Sequence, residues 1–353
     1  MIRNKIIEDD LRNIYLDIGV ILNGIEGSSF LISGGGGFIG SYFIDLINYC
    51  NENIFLEPVQ IICIDNFITG VPDRINHLMD CEDFIFMNTD ITYPISINQD
   101  VDFIIHAASI ASPTFYRKYP IETIETNVLG LKNLLDLGNK KRIKSFLNLS
   151  SSEIYGDPDE ANIPTKEEYK GYVSCTGPRA CYDESKRLGE TLCVNYFREF
   201  GSPVKIVRPF NVYGPGLKLS DKRVIPDFFS DAMKKKKIRV LSDGSPTRSF
   251  CYISDAIEGF MLALLSDYSG EAFNIGNAST EISMENLAAM IAKIVGDVEI
   301  EYKQSEEKEY LTDNPKRRCP DLAKSGSLLG YSPKVGLEKG LGRLYEWYRR
   351  VES

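Results

Sequence analysis

"SSFLISGGGGFIGS", residues 28–41, runs an apolar strand-like segment into four glycines and then into the start of an apolar helix. Gly34, Gly37 and Gly40 fit Gly-x-x-Gly-x-x-Gly at this junction. Glycines there permit a tight turn and a close backbone approach, so a pyrophosphate can rest on the N–H groups and positive end of the helix that Phe38 and Ile39 open. Alone the pattern is weak, because glycine-rich turns occur in unrelated loops. The next apolar run, "IICID" (61–65), strengthens it by ending in Asp65, where a ribose-binding acid belongs. A carboxylate accepts from a free 2′-hydroxyl and repels a 2′-phosphate, which predicts NAD rather than NADP.

Further along, the same rhythm continues. "DFIFMNTD", "VDFIIHAAS", "KSFLNLSS" and "PVKIVRPF" are strand-like, and "IETIETNVLGLKNLLDLGNK" and "ACYDESKRLGETLCVNYFREF" are helical. Continuous apolar strands separated by amphipathic helices require a parallel sheet covered on both faces, so the predicted fold class is α/β, a Rossmann-type doubly wound parallel sheet. Beyond about residue 210 the rhythm loosens into a smaller C-terminal substrate-binding lobe. The expected organisation is a helical extension at 1–28, an NAD-binding domain at 29–210 and a lobe at 211–353, with a segment near 245–275 returning to the first domain. In the extension Ile7, Leu11, Ile14, Ile18 and Leu22 fall near helical spacing, which predicts an amphipathic helix lying on the body or on a subunit partner.

Composition excludes several classes. The 353 residues are 43% hydrophobic and 25% charged, which supports a large core. A net charge of −10 opposes a nucleic-acid surface, and "MKKKK" (233–237) reads as a solvated helix end. Eight scattered cysteines without a Cys-x-x-Cys pair, and only two histidines, argue against a disulfide framework and against a metal site. Reduced thiols and a cytoplasmic location are the simpler expectation. The N-terminal stretch breaks its apolar residues with acids, no targeting segment is evident, and no run is long enough to span a bilayer.

A second motif carries chemistry. Tyr182 and Lys186 in "CYDESKRLGE" (181–190) stand four apart and share a helix face. The ammonium and a positive nicotinamide ring would favour tyrosinate; lowering a phenol from about 10 to about 7 requires roughly 4 kcal/mol. Tyr182 could then take a proton from an alcohol undergoing oxidation. Tyr-x-x-x-Lys is common by chance on helices. Downstream of a dinucleotide turn, and with "LSSS" (149–152) ending a strand before it, the functional reading prevails and Ser151 aims the same hydroxyl.

These motifs resemble the extended short-chain dehydrogenase/reductases, the NAD-dependent epimerase/dehydratase family of nucleotide-sugar enzymes, from about residue 29 to the end. The resemblance rests on "ASPTFYRKYPIETIETNVLG" (111–130), "SSSEIYGDP" (150–158), "GPRACYDESKRLGETLC" (177–193), "RPFNVYGP" (208–215), "DGSPTRSFCYISD" (243–255) and "NPKRRCPDLAKSGSLLGYSP" (314–333). Within the family the pattern is most similar to that of UDP-glucuronate decarboxylases. The resemblance implies cofactor contacts from Asn66, Asp90, Ile91 and Ala107 besides the glycine turn, Asp65, Tyr182 and Lys186. It also implies that Asn211, Arg223 and Arg248 hold the nucleotide diphosphate, that Tyr116 touches the sugar, and that Arg318 reaches the sugar carboxylate. His106 is expected to pack at a strand end beside the cofactor.

Related 4,6-dehydratases place Asp-Glu after the catalytic hydroxyl, whereas this chain has Ser152 and Glu153. Ser-Glu resembles the decarboxylase arrangement. Glu153 is expected to orient the sugar and a water for reprotonation at C5, or instead to cap the next turn or pair with an arginine. Several positions depart from the pattern: Ser151 stands for threonine, Lys222 for the glycine before Arg223, and the loop between Glu153 and Tyr182 differs. A 4-epimerase or C4 dehydrogenase acting on another nucleotide-linked sugar is the alternative. A non-catalytic NAD-binding regulator would typically have lost the tyrosine or the lysine, and both remain. By analogy with the family a homodimer is expected, paired through helices near 120–138 and 180–200.

Overall fold

The computed structural model describes residues 5–303 and 312–351. Residues 1–4 of the expected N-terminal extension, and 304–311 and 352–353 of the expected lobe, lie outside the described residues. Six strands, β1 (Ser29–Ser33), β2 (Gln60–Asp65), β3 (Phe84–Asn88), β4 (Phe103–His106), β5 (Ser145–Leu149) and β6 (Val204–Pro209), join a seventh, Ala272–Ile275, in one sheet. Its order is Ala272–Ile275, β6, β5, β4, β1, β2, β3, and every pairing is parallel.

Alternation along the strands feeds two cores. Phe30, Ile32, Ile61 and Cys63 pack on one face with α1 (Lys5–Leu22), α2 (Phe38–Asn53) and the helix Ile253–Leu264. Leu31, Ile62 and Ile64 pack on the other with the helices Leu131–Lys141 and Ala180–Phe200. Both faces are dry, which is why the strands read as unbroken apolar runs rather than alternating ones. The order of strands reverses between β1 and β4, and the crevice outside the carboxyl ends of these strands is where open α/β sheets take ligands.

The N-terminal helix lies on the body. Ile7, Leu11, Ile14, Ile18 and Leu22 are buried in the first core, and Asp10 accepts from Tyr252 Oη at 2.9 Å and pairs with Arg343 at 2.8 Å. Among the described residues no helix is long and apolar enough to cross a membrane.

The C-terminal part brings two arginines together. Thr247–Arg248 is the middle strand of a small sheet, antiparallel to Ile282–Ser283 and parallel to Arg317–Arg318. In this register Arg318 lies directly opposite Arg248. Like charges facing across strands destabilise a sheet, so the pair requires a counter-charge from elsewhere.

Candidate active site

The glycine turn follows β1 directly. Gly34 has φ +77, and a Cβ there would stand 2.6 Å from the backbone of Ala108 beyond β4, while a Cβ on Gly40 would stand 2.1 Å from the Gly34 carbonyl. Only glycine fits either place. Gly37 caps α2 without a side-chain hydrogen bond, so the first N–H groups of that helix are available to an anion. Gly34, Gly37, Asp65, Asn66, Asp90, Ile91 and Ala107 line one pocket of about 70 Å³ at the switch point. Phe38, Ile39 and Gly40 form the first turn of α2 behind it. The free helix N–H groups and the strand-end carboxylate suit the pyrophosphate and a ribose of a dinucleotide.

Asp65 does more than face a ribose. Its two oxygens accept from Gly36 N at 2.9 Å and Phe67 N at 2.7 Å, which ties the end of β2 to the glycine turn. Burial raises its pKa and these two N–H groups oppose the rise. A carboxylate has about four acceptor positions, so capacity remains for a hydroxyl. Asn66 donates to Asp90 at 3.2 Å, and Asp90 accepts from Thr92 N and Oγ1 at 2.9 and 2.8 Å. His106 is buried at the end of β4, its Nδ1 sits 2.9 Å from Ser33 Oγ, and burial drops its pKa to about 3. It is a neutral packing residue.

Tyr182, Lys186 and Ser151 meet at the end of β5. Lys186 Nζ donates to Leu149 O at 2.7 Å and stands 5.7 Å from the Tyr182 ring centroid. Tyr182 stacks on Tyr116, centroids 5.2 Å apart and planes 14° apart. Ser151 caps the short turn Ser152–Tyr155, receiving Glu153 N at 3.1 Å, and Ser152 is buried in that turn. The expected lowering of the phenol involves the nicotinamide charge as well as the ammonium, and the protein's own groups act the other way. Burial pushes Tyr182 up to about 12 against a hydrogen bond with Ser151, and burial drops Lys186 to about 7. In a dry site each group resists charging, so without a bound cation the lysine does not bring the tyrosine toward neutrality.

Glu153 is held by two arginines. Arg179 and Arg318 each donate to one of its oxygens, and Arg318 also reaches Gly156 O at 3.2 Å. Burial alone would raise its pKa, but Arg179 and Arg318 outweigh that and hold it at about 2. An ionised Glu153 accepts hydrogen bonds and can position water; held this low, it is neither an acid nor an effective base at neutral pH. Of the two expectations for this residue, the arginine pairing is present, and it is compatible with a role toward the sugar because Glu153, Arg179 and Arg318 all line a cleft of about 240 Å³.

Tyr116, Asn211, Arg223 and Arg248 line the same cleft. Arg248 is buried and donates to Thr247 O at 2.7 Å, Asn314 Oδ1 at 2.9 Å and Pro315 O at 2.6 Å. Arg223 opens the helix Val224–Lys235 and pairs with Asp221. Asn211, at φ +41, donates to Ser249 O at 2.9 Å. Lys222 adopts φ +71, the left-handed region that glycine favours, so the turn survives the substitution noted in the sequence pattern.

Arg179 and Asp183 escaped the sequence reading. Both are buried, Arg179 Nε stands 3.6 Å from Asp183 Oδ2, and Arg179 lines the cleft. The available signal was their spacing of four, across Tyr182, in a stretch that carries the family resemblance but gave a chemical role only to its tyrosine and lysine.

Comparison with known proteins agrees with this geometry. Residues 30–276 match the family model described as NAD dependent epimerase/dehydratase family. The chain is 38% identical over 320 residues to UDP-glucuronic acid decarboxylase 6 of Arabidopsis thaliana, covering 90% of this chain and 88% of that one. It is 38% identical over 322 residues to UDP-glucuronic acid decarboxylase 1 of Xenopus tropicalis, covering 91% and 72%. Among solved structures, the UDP-glucuronic acid 4-epimerase of Bacillus cereus, in complex with UDP-glucuronic acid and NAD, superposes with a TM-score of 0.76 at 26% identity, covering 92% of this chain and 99% of that one.

Proposed function

This chain belongs to the NAD dependent epimerase/dehydratase family, and on that premise we propose that it converts UDP-glucuronate to UDP-xylose by oxidation at C4, loss of carbon dioxide and re-reduction at C4. The glycine turn, Asp65, Asn66, Asp90, Ile91 and Ala107 would hold NAD, which would supply a reversible two-electron acceptor for C4. Tyr182 takes the C4 hydroxyl proton while Ser151 fixes that oxygen, and Lys186 stands on the same helix face. Burial holds Tyr182 protonated, and a positive charge brought by the cofactor would offset that. Once C4 is a carbonyl, the C6 carboxylate is that of a β-keto acid. The C5–C6 bond breaks, carbon dioxide departs, and the electron pair moves toward O4, where Tyr182 and Ser151 donate. Glu153, ionised, orients the water that returns a proton to C5.

The observation on which this reading rests is the cluster of Arg179, Arg248 and Arg318 around Glu153 in the cleft. The nucleotide diphosphate would account for Arg223 and Arg248; the pair Arg179 and Arg318 at Glu153 is the part that a sugar acid, and not a neutral hexose, would use. Incubation with UDP-glucuronate and no added reductant, followed by mass spectrometry, should yield UDP-xylose and carbon dioxide. Unchanged substrate, or only its C4 epimer with the carboxylate intact, returns the assignment to the 4-epimerase reading.

The organisation into an extension at 1–28, a cofactor domain at 29–210 and a substrate lobe at 211–353, with 245–275 returning to the sheet, belongs to the same proposal, supported by the strand Ala272–Ile275 beside β6. A homodimer is supported by exposed Ile121, Ile124, Leu129 and Leu188 on the helices expected to pair. A cytoplasmic location is supported by eight free thiols.

A further inference from the structure

Three buried arginines and two carboxylates meet at one end of the cleft. Glu153 bridges Arg179 and Arg318, and Arg248, opposite Arg318 in the sheet register, is satisfied by backbone carbonyls and the Asn314 amide. Among the described residues Arg248 has no carboxylate within ion-pair distance. The fifth charged group is Asp183, whose side chain is buried behind Arg179 and does not line the cleft. Its Oδ2 is 3.6 Å from Arg179 Nε, and neither Asp183 Oδ1 nor Arg179 Nε has a hydrogen-bond partner among the described residues.

A buried carboxylate that makes only one long ion pair contributes little as a structural clamp, because its desolvation is poorly compensated. Its charge is what remains to explain it. With Arg248 left to the diphosphate, Arg179 and Arg318 at the sugar end are balanced by Glu153 and an ionised Asp183. Without Asp183 one positive charge there would stand uncompensated until a sugar carboxylate arrived.

We propose that Asp183 is a positioning residue that acts through Arg179 to limit the positive charge at the carboxylate end of the cleft. This rests on the decarboxylase reading above. The physical need comes from the reaction. The negative charge of the substrate starts on the C6 carboxylate and leaves it as carbon dioxide forms, so surplus cation at C6 stabilises the bound substrate more than the transition state and slows the step. Asp183 trades some substrate affinity for rate.

The test replaces the charge and compares two ligands that differ at C6. At pH 8, above the value of about 7 to which burial and then Glu153 raise the Asp183 carboxyl, dissociation constants for UDP-glucuronate and UDP-glucose are measured by calorimetry on NAD-loaded enzyme in a Tyr182→Phe background, where bound ligand is not consumed, and kcat is measured with Tyr182 in place. Asp183→Asn should tighten UDP-glucuronate about tenfold, the order expected for one unit charge beyond contact distance at an effective dielectric near 20, and should leave UDP-glucose within about twofold. kcat should fall by a similar factor, so that kcat/KM changes little. Asp183→Glu, which keeps the charge, should resemble the unmodified enzyme. Because the readout is a ratio of two affinities, a partly unfolded preparation does not alter it, and Asp183→Ser serves if the asparagine variant does not fold. An unmodified enzyme that prefers UDP-glucuronate together with an Asp183→Asn variant of unchanged preference overturns the proposal. An unmodified enzyme with no such preference overturns the decarboxylase reading itself.

Discussion

Replacing Glu153 by glutamine keeps the shape of the group between Arg179 and Arg318 and removes its charge. The carboxyl is held at about 2 in the folded protein against an ordinary 4.5. At 1.36 kcal/mol per unit this corresponds to about 3 kcal/mol of stability at neutral pH. Loss of one partner of a buried pair typically costs ~3–5 kcal/mol, so the two routes agree. Removal also relieves Asp183, whose pKa Glu153 helps to raise, so about 3 kcal/mol is the upper end. With an unfolding entropy of ~2 cal/mol/K per residue, the 353-residue chain should melt about 4 °C lower. Because the folded pKa lies below the unfolded one, this contribution is complete above 4.5 and disappears as pH falls through about 2. Scanning calorimetry of both proteins should therefore show the gap at pH 7 and its narrowing on acidification. Turnover should fall by about 10²–10⁴, the range for a positioned proton-transfer or water-orienting group. A Glu153→Gln protein that melts with the parent at pH 7 would refute the electrostatic account, and one that turns over normally would leave Glu153 a structural pair only.

Asp65→Ala should weaken NAD more than NADP, narrowing the preference, and should also loosen the glycine turn that Asp65 ties to β2; equal affinities in the unmodified protein, measured by fluorescence titration, would end the ribose reading. Tyr182→Phe should bind NAD and turn over no sugar, and the ultraviolet difference between parent and variant should reveal no tyrosinate at pH 8 until NAD is added, since burial alone holds Tyr182 at about 12. Arg318→Ala should weaken UDP-glucuronate binding and turnover together in steady-state kinetics, with Arg318→Lys restoring only part because an ammonium lacks the planar fork. Leu11→Ala, at a fully buried position of α1, should cost about 2–5 kcal/mol if the extension is part of the core, read as a lower melting temperature.

Short windows of the chain encode much of the architecture. The turn at Gly34–Gly40 is legible because only glycine tolerates those approaches, the sheet because both its faces are dry, and the Tyr182–Lys186 pair because four residues make about one helical turn. Asp65 was placed by its position at the end of a strand, though not its second task of bracing the turn. Where the charges go is a matter of tertiary contact. Glu153, Arg179, Arg248 and Arg318 come from four separate segments, and the register that sets Arg248 opposite Arg318 depends on two strands some seventy residues apart in the chain. The titration of Tyr182 and Lys186 was likewise beyond the sequence, since helical spacing says that two groups are near while burial decides which of them can carry charge. Asp183 shows the limit most plainly: its residue type and spacing were in view, and its role became legible only when the fold enclosed it behind Arg179 and away from water.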